Sequence, residues 1–187
     1  VAIYAGRWHT VGLKSDGTVV AAGTSSNFFD RFFGNELNVE SWTDIVAVSA
    51  GTYHTVGLKS DGTVVAVGNN DDGQCNVEDW KDIVAISADS FHTVGLKADG
   101  TVVAVGSSPS GECNVDNWTD IVVVSAGSDH TVGLKSDGTV VAVGNNDDGQ
   151  CNVGDWTDIV AVSAGDNHTV GLKSDGTVVA VGNNDDG

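Results

Sequence analysis

Five histidines recur along the chain, and histidine is a frequent metal ligand and general base. They are His9, His54, His92, His130 and His168. The last four are each 38 residues apart, and the first precedes the second by 45 residues. Histidines on separate repeats would lie too far apart to share one zinc ion, and His54 falls on the same face of a predicted strand as Val56 and Leu58. We therefore predict that all five are structural, buried and hydrogen-bonded, with no metal site and no cofactor.

Three cysteines share the same spacing of 38 residues: Cys75, Cys113 and Cys151. They form no Cys-x-x-Cys pair of the zinc type. Equivalent positions on neighbouring repeats are expected to exceed the ~7 Å between Cα atoms that a disulfide allows. Because the first copy has Leu37 at this position, we predict a buried apolar role for the cysteines. Their odd number favours a reducing setting.

The loop Asn69-Asn70-Asp71-Asp72-Gly73 and its copies loosely resemble calcium-binding loops. They lack the spaced acidic ligands and the distant Glu of an EF-hand, and the same residue types also suit tight turns without an ion. Calcium binding stays open at this point. Since no Ser-His-Asp set, phosphate loop or pair of catalytic carboxylates stands out, we predict that the protein is not an enzyme.

The residues above lie in a repeated unit that starts at Val1, Val46, Val84, Val122 and Val160. Each copy has three runs rich in Val and Thr, such as VAVSAG, HTVGLK and TVVAVG, and the last two are joined by Asp-Gly, a strong hairpin signal. Both faces of these strands are apolar or small, so each sheet needs cover on both sides. Stacked neighbours in a β-propeller provide that cover.

We therefore predict an all-β fold, a β-propeller of five three-stranded antiparallel blades. The predicted single domain covers residues 1–187, with blades at 1–45, 46–83, 84–121, 122–159 and 160–187. No strand is left over to clasp the last blade to the first. The five blades therefore form either a closed ring or part of a longer propeller, and we favour the second arrangement.

The pattern Ala-Gly-x-x-His-Thr-x-Gly-Leu-Lys, followed by Asp-Gly-Thr-Val and Gly-Asn-Asn-x-x-Gly-Gln, resembles the regulator of chromosome condensation repeat. The short unit is most similar to that of the secreted bacterial β-lactamase inhibitory propeller, in which similar blades form a seven-bladed ring. This resemblance implies a bacterial, secreted or cell-surface protein. One departure is Val67-Gly68, where the family usually has Trp-Gly. A tryptophan precedes the first strand instead.

These tryptophans are Trp42, Trp80, Trp118 and Trp156. Like the histidines, they lie 38 residues apart in the otherwise constant part of each copy. We predict that they are structural and wedge between neighbouring blades, rather than bind a ligand.

The copies differ most in the pair of residues before the histidine and in the loop after the third strand. In a three-stranded meander both loops lie on the same side of the propeller, and variable loops on a constant frame are typical of a binding surface. In the inhibitory propeller, aromatic residues at this position contact the partner protein, so the resemblance implies contacts from Trp8, Tyr53 and Phe91. The predicted partner-binding residues are Arg7, Trp8, Phe28, Phe29, Arg31, Phe32, Phe33, Tyr53, Phe91, Asp129 and Asn167. The four Phe of the first copy's loop could equally fold back onto the blade edge.

Composition limits the partner. The chain has 26 Asp and Glu against eight Lys and Arg, for a net charge of −18, so nucleic acids and anionic membranes are excluded as partners. We predict that the protein binds another protein, with self-association if the blade array is open. Two alternatives remain: a carbohydrate-binding propeller, whose aromatics would stack on sugars, and a structural or adhesive array with no single partner.

Overall fold

The computed structural model describes residues 1–23 and 36–184, and every regular element in these ranges is a β-strand. The fifteen strands are β1 (Ala2–Ala5), β2 (His9–Leu13), β3 (Val19–Gly23), β4 (Ile45–Ala50), β5 (His54–Lys59), β6 (Val64–Gly68), β7 (Ile83–Ala88), β8 (His92–Lys97), β9 (Val102–Gly106), β10 (Ile121–Ala126), β11 (His130–Lys135), β12 (Val140–Gly144), β13 (Ile159–Ala164), β14 (His168–Lys173) and β15 (Val178–Gly182). Within the same ranges, no helix has the length and apolar character to cross a membrane.

Consecutive strands form five separate three-stranded sheets, each an antiparallel meander with its second strand in the middle. In the second blade, Gly57 of β5 lies opposite Val48 of β4 and Val65 of β6. The hairpin from β5 to β6 turns at Gly62, with φ of 81°. The Asp61 carboxylate closes this turn by accepting hydrogen bonds from the backbone N–H and the hydroxyl of Thr63, at 3.0 and 2.6 Å. The prediction of an all-β chain of five three-stranded blades is confirmed.

The hydrophobic cores lie between the blades, not within them. One cluster joins Val56, Leu58 and Val64 of the second blade to Ile83 and Ala88 of the third, and the linker adds Val77 and Trp80. Three further clusters fill the other junctions in the same way. Because burying one such side chain stabilises a fold by about 1.5–3 kcal/mol, each blade depends on its neighbours.

Each junction is also joined by a backbone hydrogen bond on the hairpin side. The N–H of Ile83 donates to the carbonyl of Gly62 in the preceding blade, at 3.0 Å. The same bond links Ile45 to Gly17, Ile121 to Gly100 and Ile159 to Gly138. The hairpin of one blade therefore fixes the start of the first strand in the next.

The outer faces of the first and last blades are open. Ile3 is 75% exposed, whereas Val48, its equivalent in the second blade, is buried; Val178 is 67% exposed, whereas its equivalent Val64 is buried. The two terminal faces therefore do not cover each other, and the five described blades form an open arc. His168, predicted to be buried, is exposed because its face of the fifth blade has no covering blade in the described structure.

A variable rim on a constant frame

The histidines tie consecutive blades together. His54 Nε2 lies 2.9 Å from the hydroxyl of Thr93 in the following blade, and that hydroxyl donates to the carbonyl of Gln74 in the linker at 2.7 Å. A hydroxyl has one proton to donate, so His54 must donate through Nε2, and its Nδ1 is unprotonated. The same bridge joins His9 to Thr55, His92 to Thr131 and His130 to Thr169, at 2.8–2.9 Å.

These imidazoles are held neutral. Burial lowers the pKa of His54 to about 3 and that of His92 to about 4, with a smaller contribution from neighbouring histidines. Nδ1 of His54 is buried without a hydrogen-bond partner, and a Cβ on Gly51 would lie 2.8 Å from it. This close approach favours glycine at Gly51 and its equivalents, in keeping with the Ala-Gly-x-x-His pattern of four of the five copies. Such histidines are unsuited to proton transfer near pH 7.

The two variable loops of each blade lie against each other. The N–H of Asn69, after the third strand, donates to the carbonyl of Tyr53 in the pair before the histidine, at 2.9 Å. Ser107 and Phe91 make the same contact at 3.0 Å. Gly68, with φ of 123°, is needed here because a Cβ would lie 2.4 Å from the Tyr53 carbonyl oxygen. Both loops thus share one side of the propeller, as the meander predicts.

The second residue of each variable pair points outward. Trp8 is 49% exposed, Phe91 is 40% exposed, and Tyr53 is half-buried. The rings of Tyr53 and Phe91 are neighbours across a blade junction, with centroids 6.0 Å apart and planes tilted by 42°. We call Trp8, Tyr53 and Phe91 the aromatic rim. Asp129 and Asn167 continue the same positions on the last two blades.

Of the predicted partner-binding residues that the structure describes, Arg7 is the one with a positive charge, and it lies beside the aromatic rim. Its guanidinium carbon lies 5.5 Å from the centroid of the Trp8 ring, within the range of a cation–π contact. The other predicted loop residues lie outside the described ranges: Phe28, Phe29, Arg31, Phe32 and Phe33. Their proposed contacts therefore remain predictions.

The first residue of each variable pair points toward the propeller axis, which the sequence reading missed. The hydroxyls of Thr52 and Ser90 lie 3.3 Å apart, those of Ser90 and Ser128 lie 3.1 Å apart, and Ser128 donates to the Asp166 carboxylate at 3.0 Å. Thr52 and Asp166, at the two ends of this chain of polar side chains, line a depression of about 650 Å³ together with Tyr4. The sequence did hold a signal for this, because successive side chains of an extended segment point to opposite sides, so one residue of each pair had to face away from the rim.

Asp89 is a second residue that the sequence reading missed. The other four copies have glycine here, at Gly6, Gly51, Gly127 and Gly165. A Cβ on Gly127 would lie 2.5 Å from the Gly165 carbonyl oxygen and 2.5 Å from His130. At Asp89 the hydrogen bond that closes this turn is longer. The Asp89 backbone nitrogen lies 3.4 Å from the His92 carbonyl oxygen, against 2.8–2.9 Å for the glycines of the other copies.

The carboxyl of Asp89 lines the axial depression together with Asp166. Burial, and to a smaller extent the charge of Asp166, raise the pKa of Asp89 to about 6, while hydrogen bonds from Ser90 oppose the shift. The depression is therefore acidic, apart from Arg7 at its edge. It is a place where a positive charge would be favoured.

The loops that loosely resemble calcium sites satisfy their own polar groups. Asn69 donates to Asp71 at 2.8 Å and accepts from Gln74 at 2.6 Å, and the Gln74 amide oxygen accepts from the N–H of Asp72. Across residues 1–23 and 36–184, no three His, Cys, Asp or Glu side chains are grouped to hold a metal ion.

The cysteines are half-buried instead of fully buried. The thiol of Cys75 donates to the carbonyl of Asn69 at 3.3 Å, and burial raises its pKa to about 11. Cys113 and Cys151 make the equivalent contacts, at 3.7 and 3.2 Å. The sequence prediction of a buried apolar position was therefore too simple, because each thiol also closes its linker loop.

The packed three-stranded sheets and the shared axial depression place the chain among the β-propellers. The family model for the regulator of chromosome condensation (RCC1) repeat matches residues 1–28, 45–74, 121–150 and 159–187, well over half of the sequence. The chain belongs to the RCC1 repeat family, and the predicted resemblance is confirmed. The closer similarity to the inhibitory propeller stays a prediction. No match to the curated proteins was found.

Several solved structures share the fold. Yeast RCC1 (Prp20), bound to Kap60, has a TM-score of 0.75 and 18% identity, over 94% of this chain and 54% of that chain. Prp20p from Saccharomyces cerevisiae, with its binding properties to Gsp1p and histones, has a TM-score of 0.73 and 18% identity, over 98% and 57%. The ectodomain of receptor kinase CR4 from Physcomitrella patens has a TM-score of 0.77 and 17% identity, over 96% and 52%. The chain spans about half the length of these structures, and the similarity establishes the fold.

Proposed function

We propose that this chain is a non-enzymatic module that binds another protein through the aromatic rim. The observation that carries the proposal is the row of aromatic side chains on three consecutive blades, with Trp8 and Phe91 exposed, Tyr53 half-buried, and the Tyr53 and Phe91 rings 6.0 Å apart. Aromatic side chains supply much of the binding energy at protein interfaces. Here they project from a frame whose other aromatic series, the linker tryptophans, is buried.

The rigidity of the frame supports this proposal. The backbone hydrogen bond from Asn69 to Tyr53 and the packing of Gly68 beneath it hold the rim position at the end of a paired strand. A side chain held in place before binding loses less conformational freedom when the partner arrives. The rim residues can therefore contribute more of their contact energy to affinity.

The charge of the surface indicates the chemistry of the partner. Asp89 and Asp166 line the axial depression beside the rim, and the chain carries a net charge of −18. A partner with a basic side chain opposite the depression and an apolar patch opposite the rim would match both features. The partners of yeast Prp20, namely Kap60, Gsp1p and histones, are consistent with protein binding on this fold.

Two further features support the non-enzymatic part of the proposal. The neutral, buried histidines have no polarised nucleophile beside them, since their Nε2 atoms are bonded to threonine hydroxyls that already donate elsewhere. The carboxyl of Asp89 lies beside Asp166 and the Ser90 hydroxyl, and no histidine, lysine or cysteine is among the described residues that line the depression.

The test compares capture of a partner by wild-type protein and by the triple variant Trp8→Ala, Tyr53→Ala and Phe91→Ala. A matched control replaces Val46, Val84 and Val122, which are about half exposed near the start of the first strands, with Ser. We expect cross-linking and mass spectrometry to identify a partner that the control retains. We expect the triple variant to bind it at least about 100-fold more weakly, since two of the three anchors at about tenfold each already give this factor.

Equal affinity of the triple variant for that partner would reject the rim as the binding surface. Loss of binding in the Val control alone would place the interface on the hairpin side. Saturable binding of a glycan, lost in the triple variant with no protein partner retained, would replace protein binding by the carbohydrate alternative.

A further inference from the structure

The axial depression is lined by four residues that depart from the repeated unit. At the fourth position of the unit the first copy has Tyr4, whereas the other four copies have serine. At the sixth position the third copy has Asp89, whereas the others have glycine. At the seventh position the first and last copies have Arg7 and Asp166, whereas the three between them have Thr or Ser. All four departing residues line the same depression.

This depression is distinct from the open faces of the terminal blades. It is surrounded by the first strands of all five blades, whose equivalent alanines line it: Ala5, Ala50, Ala88, Ala126 and Ala164. Tyr4 faces the second blade and the axis, since its equivalent Ser49 accepts a hydrogen bond from the N–H of Ala88 in the following blade, at 3.0 Å. The walls of the depression therefore do not depend on what covers the terminal faces.

Asp89 is unfavourable for the fold by itself. Its carboxyl is half-buried, and burial raises its pKa to about 6. The hydrogen bond that it accepts from the Ser90 hydroxyl is 3.4 Å long, beyond the usual range for an O–H···O bond. A residue that costs stability and is absent from the four sister copies is typical of a functional position. A cation bound beside Asp89 and Asp166 would offset this cost.

The opposite charge lies at the edge of the same depression. The Arg7 guanidinium carbon is 5.5 Å from the centroid of the Trp8 ring, and a guanidinium stacked through its face still presents its N–H donors in its plane, where they can bind a carboxylate. The volume of about 650 Å³ is within the range of small-molecule sites. The depression therefore offers acceptors for a cation, donors for an anion and room for a small molecule.

We propose that the axial depression binds an amino acid with a guanidinium side chain, with the guanidinium beside Asp89 and Asp166 and the carboxylate at Arg7. A guanidinium has five donors in a planar fork, so it can bind carboxylates and neighbouring hydroxyls together. The Tyr4 ring provides a surface for the aliphatic part of the ligand.

The same two groups occur in free arginine and in the C-terminal arginine of a protein. The described lining of the depression includes neither Tyr53 nor Phe91, so the inference does not rest on the proposed function of the rim.

The probe is L-arginine, titrated into ¹⁵N-labelled protein. We expect saturable chemical-shift changes with a Kd of about 1 mM or below, centred on residues 4–7, 88–90 and 164–166. L-Citrulline has the same shape but a neutral urea group, and agmatine lacks the carboxylate. Each is expected to bind at least about tenfold more weakly, because each lacks one charge-assisted contact.

The variant Asp89→Gly tests the acidic end of the site. It introduces the residue of the other four copies, so it is expected to fold and to bind L-arginine at least about tenfold more weakly. The matched control Glu78→Gln removes an exposed carboxylate of a linker and is expected to leave the affinity unchanged. Arg7→Ser tests the other end and is expected to weaken L-arginine without weakening agmatine.

The peptide acetyl-Gly-Ser-Gly-Arg with a free C-terminus separates the two sources of the ligand. Tighter binding of the peptide than of L-arginine would assign the C-terminal residue of a protein, and weaker binding would assign the free amino acid. The proposal is overturned if neither shows saturable binding at about 10 mM, if L-arginine and L-citrulline bind equally, or if Asp89→Gly keeps the wild-type affinity. None of these results bears on the rim, which is tested by the triple variant.

Discussion

His54 Nε2 lies 2.9 Å from the hydroxyl of Thr93 in the following blade. Because the Thr93 hydroxyl donates a hydrogen bond to the Gln74 carbonyl of the linker, one histidine joins two blades and the segment between them. This bridge recurs at every junction between described blades. Buried hydrogen bonds therefore stabilise the frame that holds the variable rim, in addition to apolar packing.

Replacing Thr93 with Val is expected to destabilise the protein by about 2–6 kcal/mol. The change keeps the volume of the side chain but leaves both the Nε2–H of His54 and the Gln74 carbonyl buried without a partner, and each such group costs about 1–3 kcal/mol. Thr10→Val is the matched control, because Thr10 lies on the open face of the first blade and receives no histidine. Urea unfolding of both variants measures the difference; equal free energies of unfolding would contradict the bridge.

Stability is expected to fall as the pH drops below about 6.5. The pKa values of His54 and His92 are lowered to about 3 and 4 in the folded chain, so the unfolded chain binds more protons between these values and the ordinary pKa. The stability contributed by keeping these histidines neutral is fully present above pH 6.5. As the pH falls toward 4, each histidine loses up to about 1.4 kcal/mol of it per pH unit.

Asp89 opposes this trend because its pKa is raised, so the pH series is best measured in the Asp89→Gly background. Urea midpoints at pH 7.5, 6 and 5 test the prediction, with the unfolding slope as a check on the two-state behaviour. A free energy of unfolding that stays constant from pH 7.5 to 5 in this background would show that the histidines are not buried in the neutral form.

The substitution Asp89→Gly is expected to stabilise the protein at pH 7 by about 1–3 kcal/mol. The pKa of Asp89 is raised to about 6, so its charged form disfavours folding above that pH, and the penalty is relieved as the pH falls through 6 toward 4. Glycine is also expected to restore the shorter hydrogen bond to the histidine carbonyl that the other copies make. The gain in Tm should therefore shrink between pH 7 and pH 4.5; a gain that does not change with pH would assign the effect to the turn alone.

The reverse change, Gly127→Asp, provides the comparison. Its Cβ would approach the Gly165 carbonyl oxygen and His130, and the variant is expected to lose stability at pH 7. Wild-type stability in Gly127→Asp would show that the glycine of the Ala-Gly-x-x-His pattern is dispensable.

Amide exchange is expected to be slowest in the central blades. Leu96 in β8 is buried between two neighbours, whereas Leu172 in the corresponding position of β14 is exposed. In a repeat array, stability is the sum of each repeat and its junctions, so a terminal blade with one junction opens more often. Hydrogen–deuterium exchange with peptide resolution tests this, and uniform protection of β2, β8 and β14 would contradict it.

The sequence predicted the five blades because the pattern of the strands is local and is repeated five times. The Asp-Gly hairpins and the apolar faces that need cover follow from residue types alone, and the structure bears out both. The sequence also predicted that the two variable loops share one side of the propeller, because this depends only on the direction of three antiparallel strands.

The sequence did not predict which residue of each variable pair faces the axis. Thr52 and Ser90 carry no pattern of their own, and their contact appears only when neighbouring blades are placed side by side. Asp89 was missed for the same reason, since the cost of a side chain there comes from the following blade. The exposure of His168 depends on what covers the last blade, which no local pattern encodes.

The proposed rim is tested most directly by amide exchange of the chain with and without the partner identified by cross-linking. Protection is expected in residues 51–53 and 89–91, which carry Tyr53 and Phe91, and in residues 6–8 around Trp8, with the hairpins at 60–62, 98–100 and 136–138 unchanged. Protection confined to those hairpins, with the rim exchanging as in the free chain, would contradict binding through the rim.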